Sequence, residues 1–161
     1  MAKLPRLPMR KEHDPLAPER GQIFSPRFLV ALLLIFGGIA WILYYYYGIQ
    51  PNNGWPEAKG NPAGGPTFFQ DLEHKNYLIG FTAFFIGLMI SAHPSTPLGR
   101  GRGVVVGMLG CFLVGLVWIC TFYVFSDDLS QLWIFNDLGQ WNLVVGIAFM
   151  AVGFSFATKW E

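Results

Sequence analysis

The sequence predicts an all-α integral membrane protein: four transmembrane helices arranged as two parallel-repeat helical hairpins, N-in and C-in. Three observations predict it. Four apolar runs carry no charged side chain, a hairpin-sized unit recurs along the chain, and positive charges gather in alternate loops. The 161 residues are 53% hydrophobic and only 13% charged, against about a quarter charged in a soluble domain. A formal net charge of +1 implies no nucleic-acid partner.

Residues 1–27 form a basic cytoplasmic tail with prolines at positions 5, 8, 15, 18 and 26 and no helical period. Alone in water such a segment stays extended or disordered. Its Lys3, Arg6, Arg10, Lys11 and Arg20 are candidate contacts for anionic lipid or for a partner protein. Residues 28–93 make the first two-helix hairpin, from the runs Phe28–Tyr47 and Asn76–Ala92. The first run ends in "YYYYG" and not in a small-residue cleavage site, so it reads as an anchor. The intervening loop is rich in Gly, Pro and Asn and reads as irregular. Residues 94–103, "PSTPLGRGRG", read as a flexible basic loop, since no strand precedes the glycines as a phosphate cradle requires. Residues 104–161 make the second hairpin, from the runs Val104–Phe125 and Trp141–Thr158. At ~1.5 Å per residue the four runs reach about 25–33 Å, enough for a hydrocarbon core of ~30 Å with some snorkelling or thinning.

Orientation follows from charge. The tail, the middle loop (Arg100, Arg102) and the C-terminal Lys159 hold nine of the eleven Lys and Arg residues. The third loop holds Asp127, Asp128 and Asp137 instead, so the positive-inside rule puts both termini in the cytoplasm.

The repeat is written in residues that rarely match by chance. Phe69, Asp71, Leu72, Asn76, Gly80 and Gly87 recur 66 positions later as Phe135, Asp137, Leu138, Asn142, Gly146 and Gly153. Leu32, Gly38, Trp41, Ile42 and Tyr46 recur 77 positions later as Leu109, Gly115, Trp118, Ile119 and Tyr123. This predicts duplication of one hairpin about an axis near the membrane normal.

At 100° per residue, Asn76, Gly80, Ala83 and Gly87 share one stripe, as do Asn142, Gly146 and Gly153, with Phe149 in place of the alanine. Gly107, Cys111 and Gly115 form another at spacing four. Small residues let helix backbones approach closely in lipid, and each asparagine is placed to hydrogen-bond across such a seam. Two uses stay open: packing of the four helices on each other, or an interface for another membrane protein. Val145 is expected to face lipid. Asp71 and Asp137 precede their helices and read as N-terminal caps. Trp41, Tyr44–Tyr47, Trp55, Trp133, Trp141 and Trp160 read as interfacial anchors. Cys111 and Cys120 point to opposite sides of one helix, cannot pair, and read as small buried hydrophobes.

No Asp, Glu, Lys, Arg or His falls inside a span, so proton relays and ion coupling have no carrier. His74 and His93 flank one helix at opposite ends, and no spacing suggests a metal site or a cofactor. No nucleophile–base pair, P-loop or dinucleotide fingerprint occurs, and the expected protein is not an enzyme.

The second hairpin carries a family likeness. "FLVGLVWICTFYVF" and then "LGQWNLVVGIAFMAVGFSFATKWE", with Leu138, Gly139, Trp141 and Asn142 opening the last helix and Lys159–Trp160 closing it, resemble the actinobacterial cell-division family CrgA. In the first hairpin "LEHKN" replaces the Leu-Gly-x-Trp-Asn phrase, so the chain looks like a tandem, double-length version. The resemblance implies a non-enzymatic membrane adaptor in septum assembly and peptidoglycan synthesis. It would contact FtsZ and membrane division proteins, including septal penicillin-binding proteins. A second reading is an accessory subunit of a large energy-transducing complex, such as a respiratory cytochrome supercomplex. A small transporter is disfavoured by the uncharged spans.

Overall fold

The structure, a computed structural model, describes residues 25–49, 65–127, 129 and 132–159. Among these every regular element is helical. Helix α1 (Pro26–Tyr44) begins where the Ser25 hydroxyl accepts a 3.2 Å bond from the Phe28 amide and proline occupies the first turn. It runs into a π-helical turn, Tyr45–Ile49, which buries Tyr45, Tyr46 and Ile49. Helix α2 (Thr67–Leu72) is short and leads into α3 (Lys75–Ser91). Helix α4 (Arg102–Val124) is followed by short α5 (Trp133–Leu138) and then α6 (Trp141–Ala157). The segments Pro26–Ile49 and Arg102–Val124 are long and apolar enough to cross a membrane, while α3 and α6 are shorter apolar helices of 17 residues each.

Helix α1 packs on α3, α4 packs on α6, and α3 and α6 join the two pairs. Both pairs are antiparallel: Ala31 and Ile35 meet Gly87 while Ile42 meets Gly80, and Phe112 meets Gly153 while Ile119 meets Gly146. The same construction thus appears twice, as a long helix, a short helix, a sharp corner and a second helix. The corners are alike. Glu73 has φ 44° and ψ −131°, and Gly139 has φ 48° and ψ −124°. Glycine adopts this region freely, whereas the Glu73 side chain makes it strained.

One apolar cluster, with Ile42, Tyr45, Tyr77, Val145 and Phe149, fills the space between the hairpins beside the corners. A second, with Ala92, Val104, Cys111, Val152 and Phe156, fills the opposite end. There the chain between α3 and α4 is compact, in contrast to the flexible loop expected. The buried Thr96 hydroxyl lies 2.8 Å from the His93 carbonyl oxygen and accepts from the Gly99 amide at 3.2 Å. The Arg27 guanidinium ties α1 to this turn, 2.9 Å from Nε2 of His93.

Candidate helix-packing and partner interface

The stripes of small residues meet helices of their own hairpin. A Cβ added at Gly38 would lie 2.5 Å from the Gly80 carbonyl oxygen, and one at Gly115 would lie 2.8 Å from the Gly146 carbonyl oxygen. Gly80 faces the Ile42 side chain and Gly146 faces Ile119, with no room for a Cβ at either glycine. Gly87 lies against the Ala31 backbone and Ile35, Gly107 against the Phe156 ring, and Gly153 against Phe112. Close backbone approach of this kind multiplies dispersion contacts where lipid removes the hydrophobic drive between helices. Gly38 was not singled out as a seam residue from sequence, although its offset-77 match to Gly115 is a visible signal for it.

Asn76 and Asn142 are fully buried and act within their own hairpins, not across a seam. The Asn76 amide donates to the carbonyl oxygens of Phe69 (2.8 Å) and Glu73 (2.9 Å). The Asn142 amide donates to those of Phe135 and Gly139, both at 2.8 Å. Each asparagine so adds side-chain hydrogen bonds to carbonyls of the short helix and corner before it, latching α2 onto α3 and α5 onto α6. Trp41 packs on Phe69 at 4.5 Å and Trp118 on Phe135 at 4.4 Å, covering the same latch. In both hairpins the tryptophan Nε1 and the asparagine Oδ1 are buried without a hydrogen-bond partner among the described residues.

The hairpins meet at residues that break the repeat. Phe149 stands where the first hairpin has Ala83, and its ring packs on Phe85 at 4.9 Å and Phe84 at 5.7 Å. Tyr77, where the second hairpin has Leu143, donates from its hydroxyl to Oδ2 of Asp137 at 2.6 Å. Asp137 therefore bridges the hairpins from inside α5, and Asp71 lies inside α2. Neither holds the N-cap position of α3 or α6: the residues there are His74 and Gln140, whose side chains make no capping bond.

Other expectations need correction. Val145 is buried in the inter-hairpin cluster and does not face lipid. Tyr45 and Tyr46 are buried in that cluster, and Trp41 lies over Phe69, so these three are packing residues; Trp141 and Tyr47 stay exposed. Cys111 is buried but Cys120 is exposed. The tail cations Lys3, Arg6, Arg10, Lys11 and Arg20, with Trp55 and Trp160, lie outside the described residues.

With the seams occupied internally, the outer faces of α1 and α4 remain. Leu33 and Phe36 on α1 and Leu113 and Val117 on α4 are each at least 60% exposed. Such faces suit lipid or the helices of another membrane protein. Among the described residues no group of three or more His, Cys, Asp and Glu is placed to hold a metal ion.

The sequence profile of the family described as "Cell division protein CrgA" matches residues 97–161. A curated relative of that name from Streptomyces avermitilis is 42% identical over 64 residues, which cover 40% of this chain and 71% of the relative. No solved structure matches the chain. The reading as a respiratory subunit gains no support from these matches. The matched stretch contains the whole of α4, α5 and α6, the unit that the first hairpin repeats. The chain is a membrane protein of the CrgA cell-division family.

Proposed function

We propose that the protein is a non-catalytic adaptor of the division septum, linking other division proteins through contacts made in the membrane. The family match over the second hairpin carries this reading. Four helices cross the membrane, with the α2 and α5 ends outside and both termini in the cytoplasm, following the bias of nine of eleven Lys and Arg residues. The outer faces of α1 and α4 serve as the partner-binding surfaces. The tail of residues 1–27 stays near the inner leaflet, where each basic residue gains about 1 kcal/mol from anionic lipid, and adds binding energy for a cytoplasmic partner.

Affinity purification in mild detergent, with identification of the co-purifying chains, tests the reading. Septal division proteins are expected. Recovery of cytochrome subunits in their place would overturn it. Reporter fusions at Glu161 and between Pro94 and Gly103 should report cytoplasm, and fusions near Gly60 and Asp127 the exterior. An external C-terminus would overturn the orientation.

A further inference from the structure

Where α1 begins and α3 ends, the two helices leave an open groove of about 700 Å³. That volume is within the ~300–1,000 Å³ range of small-molecule sites. Val30, Ile86, Met89 and Ile90 form its apolar walls, and the first three of these are exposed. Pro26, Arg27 and His93 line the end nearest the helix termini.

The charge at that end is one-sided. The Arg27 guanidinium lies 2.9 Å from Nε2 of His93. A guanidinium only donates, so the ring nitrogen accepts and the contact leaves the Arg27 charge in place. Nδ1 of His93 lies 2.9 Å from the Ser95 hydroxyl. Arg100 donates to the carbonyl oxygens of Ser95 at 3.1 Å and Thr96 at 3.3 Å. The turn of residues 93–96 thus holds two guanidiniums through neutral partners among the described residues. The described carboxylates Asp71, Glu73, Asp127 and Asp137 belong to α2, the first corner, the turn after α4, and α5, at the other end of the helices. A cation at the head of an apolar groove matches an anion carried on a hydrocarbon chain.

We infer that this groove binds one glycerophospholipid of net negative headgroup, such as phosphatidylglycerol. An acyl chain lies along Val30, Ile86 and Met89, and the phosphodiester meets Arg27, with Arg100 adding to the attraction. A zwitterionic headgroup would bring its own ammonium among these cations and gain less. Free phosphate would leave the apolar walls uncovered. The inference rests on α1 and α3 lying in the membrane, not on the adaptor role or on the tail.

Native mass spectrometry of the full chain in mild detergent tests it, with phosphatidylglycerol, phosphatidylethanolamine or inorganic phosphate added in turn. One phosphatidylglycerol should be retained in preference to the other two. Arg27→Gln should lower its retention about fivefold and Arg27→Lys should keep most of it, with the helical circular dichroism signal unchanged in both. Arg100→Gln should lower retention as well. Met89→Trp, within the groove, should also lower it, whereas Val117→Trp, on the exposed face of α4, should not. Replacing Lys3, Arg6, Arg10 and Lys11 together with Gln should leave the lipid bound, because the groove holds it. Equal retention of the two lipids, full retention by Arg27→Gln, or loss on neutralising the tail would overturn the proposal. So would a photocrosslinker at position 89 that captures a protein segment and no lipid.

Discussion

The Tyr77 hydroxyl donates a 2.6 Å hydrogen bond to Oδ2 of Asp137, 60 residues along the chain and in the other hairpin. Tyr77 is almost completely buried, and its ring meets that of Tyr45 edge-on at 5.2 Å. The bond therefore joins three segments: the π-helical turn, α3 and α5. It has no equivalent in the repeat, because Leu143 holds the matching position. A bond to a charged acceptor contributes about 1.5–3 kcal/mol in water-soluble proteins, and side-chain bonds between membrane helices average less. Tyr77→Phe, which keeps the ring packing, should cost about 1–2 kcal/mol. Unfolding in detergent followed by tryptophan fluorescence would measure the loss, and an unchanged midpoint would show that packing alone joins the hairpins.

The glycine seams should respond by position and not by residue type. Leucine at Gly146 has no space because Ile119 already occupies it, and Gly80 is blocked in the same way by Ile42. Overpacking costs typically 1–3 kcal/mol, so Gly80→Leu and Gly146→Leu should each lower stability by about that amount. A Cβ at Gly110 meets nothing within 4 Å, so Gly110→Leu should stay within about 0.5 kcal/mol of the parent. Equal melting temperatures for Gly146→Leu and Gly110→Leu would refute the close approach.

The asparagine latches predict a local effect. Asn142→Ala removes both bonds, to the Phe135 carbonyl of α5 and the Gly139 carbonyl of the corner, and also removes the unpartnered Oδ1, so the net cost should be about 1–2 kcal/mol. The loss should be concentrated in amide exchange of Trp133–Leu138, and Asn76→Ala should act likewise on Thr67–Leu72. Uniform acceleration across all helices would mean that the latch has no local role.

The two corners predict opposite signs. Gly139→Ala places a side chain at φ 48° and should destabilise by about 1–2 kcal/mol. Glu73→Gly relieves the same strain at φ 44°, offset by the greater entropy of an unfolded glycine, and should stabilise by up to about 1 kcal/mol. Thermal unfolding of the two variants side by side checks this, and a destabilised Glu73→Gly would show that the Glu73 side chain itself contributes to folding.

The sequence by itself determined the all-helical membrane class, the family likeness of the second hairpin and the recurrence of residues at fixed offsets. Each is a one-dimensional property: an uncharged run of sufficient length, a phrase around Trp141 and Asn142, two constant offsets. The small-residue stripes were legible for the same reason, since spacing alone puts Gly80 and Gly87 on one face. Only the tertiary structure decided what those faces meet. Asn76 was read as reaching across a seam, yet it turns back to the carbonyls of Phe69 and Glu73, because the corner after the short α2 brings those groups next to its amide. Asp137 was read as a cap, yet it bridges to Tyr77, because α5 places it opposite the other hairpin. Val145 was read as facing lipid, because in a uniformly apolar helix every face looks the same and no polarity marks the buried side. Contacts between residues 60 or more positions apart depend on how α3 meets α6. That choice rests on Phe149, whose size mattered only once Phe84 and Phe85 stood against it.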